Sequence, residues 1–308
     1  MKILAPVNNL ESAKDMIACG AGELYLGMDE ELFNAYSLTG RGKVNASKSI
    51  ILQNVDIVEK IVDYAHQNNC KVNLLANTQF LSSYELLRCF NEYVYNCVAC
   101  KVDSIVIGDV GLLYYLKKMN INIPLHASIF FRTINVEQVR YLKTFNVDRV
   151  CLSYHVTFDE IVSICNSNIM DVEVVGFLGC SFYNGACSFL HDYGESFLNT
   201  FDPGLACKSL YNFGDEETSS PLFDAESACG ICSINNLRNA GVVALKIVGR
   251  EINSKQMKEI VTVFCNAVNQ RKTRDSTQRV PEWWRRKWCK LKSCKYMQNT
   301  NSIYTIGM

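Results

Sequence analysis

Short apolar runs alternate with longer amphipathic segments along most of the chain. The apolar runs are rich in Val, Ile and Leu, which is typical of strands buried on both faces. Each run precedes a segment whose apolar residues recur every three or four positions, which predicts a helix packed on one side. The predicted strands occupy 2–6, 23–27, 71–77, 103–108, 123–128, 148–153, 171–179 and 243–250.

Strands that alternate with helices predict right-handed crossovers and a parallel sheet. Eight strand–helix units in about 270 residues are the number in a (β/α)8 TIM barrel, and a doubly wound open sheet is the alternative. We therefore expect a barrel over residues 1–270 with a long insertion, 180–232, after the seventh strand. Residues 271–308 form a predicted C-terminal extension.

A barrel of this kind carries its functional residues where the strands end. Arg250, at the end of the last predicted strand, can clamp a carboxylate or phosphate with its two-pronged side chain. Asp109 has a helix cap as its ordinary role, and His126 has that of a core histidine. The candidate substrate-binding residues are Arg41, Asn77, Asp109, His126, Ser128 and Arg250.

Composition and charge describe a globular chain without a strong electrostatic preference. Of the 308 residues, 48% are hydrophobic and 20% charged, and the formal net charge is zero, so bulk charge indicates no polyanionic partner. The N-terminus lacks a secretory signal pattern, and no apolar run approaches the roughly 18 residues of a membrane span. We expect a cytoplasmic protein with no membrane association.

The C-terminal extension departs from this balance. Between Arg271 and Lys295 there are ten Lys or Arg residues and two acidic ones, interleaved with three Trp residues. Basic residues with stacking aromatics suit nucleic acid, so an RNA partner is one interpretation. An amphipathic helix that docks a protein or peptide partner, or that caps the bottom of the barrel, is the favoured one.

The chain contains 15 cysteines, which in a reducing compartment indicates thiols, metal ligands or catalysts rather than disulfides. Eight lie within periodic elements and are expected to be small buried hydrophobes. These eight are Cys19, Cys70, Cys89, Cys97, Cys100, Cys151, Cys165 and Cys265. Five others lie between elements and require another explanation: Cys180, Cys187, Cys207, Cys229 and Cys232. The remaining two, Cys289 and Cys294, lie in the C-terminal extension, and their spacing on a helix-like segment argues only weakly for extra ligands.

The gaps between these five cysteines are 6, 19, 21 and 2 residues. Structural zinc sites use two tight knuckles, and only "CGIC" at 229–232 is tight, so zinc fits poorly. A 4Fe-4S cluster needs four thiolates but tolerates scattered ligands. It would draw on Cys180, Cys187, Cys207 and one of Cys229 or Cys232. Thiols with no metal remain the other interpretation.

The order of several motifs resembles the peptidase U-32 (collagenase-like peptidase) family. "ILAPVNNLESAKDMIACGAGELYLG" is similar to the opening of that family, "VNLLANT" and "IPLHAS" to its strand ends, and "NAGVVALKIVGR" to its "eaGv.slKIeGR" signature. The resemblance covers residues 1 to about 270. It implies a TIM-like barrel and, in the four-cysteine branch, a 4Fe-4S cluster. Counting back twelve residues from Gly241 singles out Cys229 as the fourth ligand and leaves Cys232 spare.

Members of that branch are linked to oxygen-independent hydroxylation of ubiquinone precursors or RNA bases. The resemblance therefore implies an iron–sulfur enzyme acting on a small-molecule, RNA or peptide substrate at the barrel mouth. A collagenase-like peptidase is one alternative, although the chain has no GxSxG or HExxH motif. An iron–sulfur subunit that needs a second related chain for activity is another.

Three departures from the family pattern fall at strand ends. The family's "vHG" is replaced by "VVGFLG", its "StQ" by "SIF" at 128–130 and its "sRE" by "SYH" at 153–155. Because strand ends contact the substrate in a barrel, these changes predict a substrate different from that of the better-known members. They also motivate the hypothesis of a partner-dependent subunit.

Overall fold

The computed structural model describes residues 1–27, 55–77, 83–177, 210–212, 219–221, 229–249, 252–270, 280–288 and 294–296. Its strands are β1 (Lys2–Pro6), β2 (Glu23–Leu26), β3 (Lys71–Leu75), β4 (Ser104–Ile107), β5 (Leu125–Ala127), β6 (Val147–Cys151), β7 (Asp171–Phe177), β8 (Leu210–Asn212), β9 (Ser219–Pro221) and β10 (Ala244–Ile247). Eight of them close into a parallel barrel in the order β1-β10-β7-β6-β5-β4-β3-β2. β8 and β9 pair antiparallel in a sheet of their own.

Closure of the strand pairing distinguishes the barrel from an open sheet. Lys2 of the first strand pairs with Ala244 of β10, the last strand, and Leu4 pairs with Glu23 of β2. An open sheet would leave its outermost strands with one neighbour each, whereas each of these eight strands has two. The predicted (β/α)8 barrel is confirmed, and the doubly wound alternative is wrong.

Helices follow the strands and cover the outside of the barrel. They are α1 (Leu10–Ala18), α2 (Val55–Gln67), α3 (Tyr84–Ala99), α4 (Val110–Met119), α5 (Val136–Lys143), α6 (Phe158–Asn166), α7 (Ile234–Ala240), α8 (Ser254–Asn269) and α9 (Glu282–Trp288). Polar residues begin them: Asn9 caps α1 through Ser12 N, and Thr157 forms a capping box with Glu160. Gly241, with φ of 103°, ends α7 in a left-handed conformation that a Cβ would disfavour.

The core lies between the barrel and the helices. Of the eight cysteines expected in periodic elements, Cys19 and Cys165 are half-buried and the other six are buried, which confirms the interpretation for those six. The described cysteines form no disulfide with one another. No helix in the described part of the chain is long and apolar enough to cross a membrane.

Candidate functional site

Two of the predicted mouth residues have clear packing or capping roles. Asn77 lies two residues beyond β3 and is 6% exposed. A Cβ on Gly108 would lie 2.9 Å from Asn77 Oδ1 and 2.9 Å from Phe130 Cδ2, so glycine at the end of β4 makes room for both neighbours. Asp109 begins α4, where its Oδ1 accepts a hydrogen bond from Leu112 N at 2.9 Å. The capping role considered for Asp109 is therefore present.

Ser128 and His126 also have structural partners. The Ser128 hydroxyl accepts a hydrogen bond from Phe130 N at 3.4 Å and caps a single 3₁₀ turn after β5. His126 Nδ1 lies 3.1 Å from the hydroxyl of Ser104 inside the barrel. Burial, with the charges of Arg149 and Lys246, holds the pKa of His126 well below its usual value, so the imidazole is neutral.

Five other predicted site residues lie outside the described residues. They are Arg41, Cys180, Cys187, Cys207 and Arg250. Of the predicted thiolate set, the structure describes Cys229 and the spare Cys232. In the described ranges no three His, Cys, Asp or Glu side chains converge as a metal site.

Cys229 lies against the end of β7. Its backbone forms an antiparallel bridge with Phe177, and Gly230 N donates to Gly176 O at 2.8 Å. The Cys229 side chain belongs to a residue that is 6% exposed. Cys180 follows Phe177 by three residues, so at most about 11 Å of extended chain separates their Cα atoms. The fold therefore brings Cys229 to the strand end that carries the first predicted ligand.

The chemistry of this end of the barrel fits a thiolate-ligated metal. Cys229 supplies a soft sulfur donor of the kind that iron–sulfur clusters require, and Cys232 is the spare thiol beside it. Cys229 is 6% exposed, and Ile231 and Phe177 beside it are 3% and 0% exposed. A shielded position beside soft donors suits a cluster better than a hard, hydrated cation.

A C-terminal segment, residues 294–296, packs against the same region. Lys295 N donates to Cys229 O at 3.0 Å, and the Ser233 hydroxyl donates to Lys295 O at 2.6 Å. The side chain of Cys294 shares a hydrogen bond with Cys232, which lowers the pKa of Cys294 to about 6 although burial opposes the shift. Cys294 was not among the predicted site residues, because nothing in its local sequence relates it to Cys232.

The side chains of this segment enter the barrel mouth. Lys295 Nζ donates to Tyr154 O at 2.7 Å and lies over the Tyr154 ring. Burial lowers the pKa of Lys295 to about 5, and the charge of Cys151 opposes that shift. The Tyr296 hydroxyl donates to Val175 O at 3.0 Å. Val175 is near the end of β7, so these residues lie at the mouth and not at the bottom of the barrel, contrary to the capping position considered above.

Helix α9 holds the extension on the barrel. Trp284 is 0% exposed, and its ring centroid lies 5.1 Å from that of Phe177 and 5.9 Å from that of Phe264. Trp283, its neighbour, is 42% exposed. Burying Trp284 explains why the extension packs on the barrel through one face of a short helix.

Below the mouth, polar side chains from seven strands form a network inside the barrel. Arg149 donates to Glu23 through both terminal nitrogens, at 2.6 and 3.1 Å, and lies 3.7 Å from Glu173. Lys246 Nζ lies 3.8 Å from Glu173. The members are Glu23, Asn73, Ser104, His126, Arg149, Glu173 and Lys246.

Sequence reasoning missed this interior network. Its signal is visible in retrospect as a polar residue within an otherwise apolar strand, for example in "ELYL" and "ALKI". Burial pulls the pKa of Arg149 down, but its hydrogen bond to Glu23 and the nearby carboxylates raise it more, so the pKa is raised overall. The members of the network lie within their strands and not beyond the strand ends, where barrel residues contact the substrate.

Comparison with known proteins identifies the family. The sequence model that describes peptidase family U32 matches residues 8–303, nearly the whole chain. This chain belongs to peptidase family U32. Among solved structures, the U32 peptidase Mk0906 superposes with a TM-score of 0.53, covering 82% of this chain and 94% of that one. At 10% identity this likeness concerns the fold alone.

Two curated relatives of the U32 chain carry different names. The tRNA hydroxylation protein P of Haemophilus influenzae is 24% identical over 225 residues, which are 70% of this chain and 44% of that protein. The uncharacterized protease MJ0090 of Methanocaldococcus jannaschii is 26% identical over 199 residues, which are 63% of this chain and 44% of that protein. The U32 chain therefore matches less than half the length of either relative.

Proposed function

We propose that this U32 chain is an iron–sulfur enzyme of the hydroxylase type, with a 4Fe-4S cluster on Cys180, Cys187, Cys207 and Cys229. The observation that carries the proposal is the position of Cys229, which is bridged to the end of β7 three residues before Cys180. The name of the Haemophilus influenzae relative agrees with a hydroxylation role. A cluster at this place would supply one-electron transfer.

The chain's own residues would bind the substrate around the mouth. Asn77 follows β3 and Ser128 follows β5, the two strands that flank β4. Arg41 and Arg250 are the proposed anion contacts. A guanidinium clamps a carboxylate or phosphate through paired hydrogen bonds, which suits an RNA backbone or an acidic small molecule. The substrate classes in this proposal are therefore RNA, a small molecule or a peptide.

The peptidase name of the family suggests hydrolysis as the alternative. Ser104 and His126 are in contact, but Ser104 is 0% exposed within the barrel and donates its hydrogen bond to Asn73 Oδ1 at 2.6 Å. A nucleophilic serine must reach the peptide that it cleaves. This pair therefore does not support a peptidase, and the hydroxylase remains the function that we propose.

Anaerobic reconstitution with ferrous iron and sulfide tests the cluster. We expect about four irons and four sulfides per chain, with broad absorption near roughly 400 nm. Cys229→Ser should lower the iron content, and Cys232→Ser should leave it unchanged. Cys165→Ser, at a half-buried helix thiol, is the control for general effects of cysteine replacement.

Two outcomes would refute the proposal. Equal iron content in the parent and in Cys180→Ser would show that Cys180 is not a cluster ligand. A fully active, iron-free preparation would remove the iron–sulfur enzyme altogether. Peptide cleavage by a chain with all four proposed ligands replaced by Ser would favour the peptidase.

A further inference from the structure

Two thiols from distant parts of the sequence meet beside the barrel mouth. Cys232 follows Cys229 in the "CGIC" stretch, and Cys294 lies about sixty residues later in the C-terminal segment. Their side chains share a hydrogen bond. Cys294 is exposed and Cys232 is half-buried, so a small reagent in solvent can reach the pair.

Backbone contacts of neighbouring residues keep the thiols of Cys232 and Cys294 close to each other. Cys294 forms a parallel bridge with Cys229, and the next residue, Lys295, donates its N–H to Cys229 O at 3.0 Å. The Ser233 hydroxyl, adjacent to Cys232, donates to Lys295 O at 2.6 Å. The backbone of Cys294 is therefore held beside Cys229, three residues before Cys232, and the Ser233 contact holds Lys295 on the other side of Cys232.

The segment that carries Cys294 has anchors of its own. Tyr296 is 7% exposed and bonds to Val175 O at 3.0 Å. Trp284 is buried against Phe177 and Phe264. The segment thus docks without a covalent link, and the thiol pair spans the junction between it and the barrel.

We propose that Cys232 and Cys294 are a redox-active dithiol whose oxidation to a disulfide fastens the C-terminal segment across the barrel mouth. A low-molecular-weight disulfide is the oxidant. One cysteine sulfur attacks it and releases the first small thiol, and the second cysteine then attacks the mixed disulfide and releases the second. Two electrons pass from the cysteine sulfurs to the reagent, one S–S bond breaks and one forms, and both protons leave on the released thiols.

This dithiol lies beside the proposed cluster site but uses sulfurs that the cluster proposal does not. Cys229 is buried and, by its register against Gly241, is the proposed cluster ligand, whereas Cys232 is the spare cysteine. The disulfide can therefore be tested without iron. Its failure would leave the cluster proposal intact, and loss of the cluster proposal would leave the disulfide intact.

The test uses the full chain, purified without iron and incubated with excess oxidised glutathione. After alkylation of the remaining thiols, we expect trypsin to release the peptide that ends at Arg238 linked to the tripeptide 293–295, and reduction to separate them. A disulfide that closes a loop of about sixty residues should raise Tm by about 6 °C. That rise should disappear on reduction.

Variants assign the link to its two sulfurs. Cys232→Ser and Cys294→Ser should each abolish the linked peptide and the rise in Tm, and Cys229→Ser and Cys289→Ser should retain both. A linked peptide of unchanged yield in Cys294→Ser would overturn the proposal. A stable glutathione adduct on Cys294 of the parent, with no link to Cys232, would overturn it as well.

Discussion

Replacing Arg149 by Met should destabilise the barrel more than any exposed charge replacement. The Arg149 side chain is 9% exposed, and it neutralises Glu23, whose side chain is 2% exposed, through contacts of 2.6 and 3.1 Å. It also lies 3.7 Å from Glu173. Met fills a similar volume but removes the charge, so the variant keeps the packing and leaves the carboxylate of Glu23 buried without its bidentate partner.

The expected magnitude follows from the burial of the pair. Removing one partner of a buried ion pair costs about 3–5 kcal/mol, because the remaining charge is desolvated without compensation. For a chain of 308 residues, this loss corresponds to a fall in Tm of about 5 to 8 °C. Adding Glu23→Gln to Arg149→Met should restore part of the loss, because the uncompensated charge is then removed.

Thermal unfolding followed by circular dichroism measures the effect. Arg140→Met is the matched control, since Arg140 contacts Glu137 at 3.3 Å but their side chains are 62% and 78% exposed. An exposed pair contributes only about 0–1 kcal/mol, so Tm should change by less than about 2 °C. Equal losses in the two variants would refute the reasoning, because burial would then not determine the cost.

Two further predictions concern the extension and the barrel interior. Trp284→Ala should lower the free energy of unfolding by about 3–5 kcal/mol because its ring is buried, whereas Trp283→Ala should change it little; equal effects in urea titrations would contradict the docking of α9. Because burial holds the pKa of His126 below its unfolded value of about 6.5, the unfolded chain takes up the proton first as the pH falls. The free energy of unfolding should therefore decrease from pH 7 to pH 5, with a slope of up to about 1.4 kcal/mol per pH unit. In thermal melts, His126→Gln should reduce that slope, and an unchanged slope would contradict this role of His126.

The barrel could be predicted from the sequence because its signals are local. The predicted strand at 2–6 coincides with β1, and 71–77 and 243–250 overlap β3 and β10 with differences at their ends. Strand ends are harder to predict, because pairing with a neighbour decides which residues count as strand. Asp109 shows a similar limit for sites, since a polar residue that follows a strand can be the cap of the next helix, as Asp109 is.

The sequence alone determined the alternation of strands and helices and the family signature, and it is the basis for predicting Cys229 as a ligand. Only the tertiary structure decided which distant side chains meet. Arg149 faces Glu23 because barrel closure brings β6 and β2 across one interior, and Cys294 meets Cys232 because the docked extension returns to the mouth. Neither contact leaves a periodic pattern, since each joins residues that the chain separates by dozens of positions and that only packing brings together.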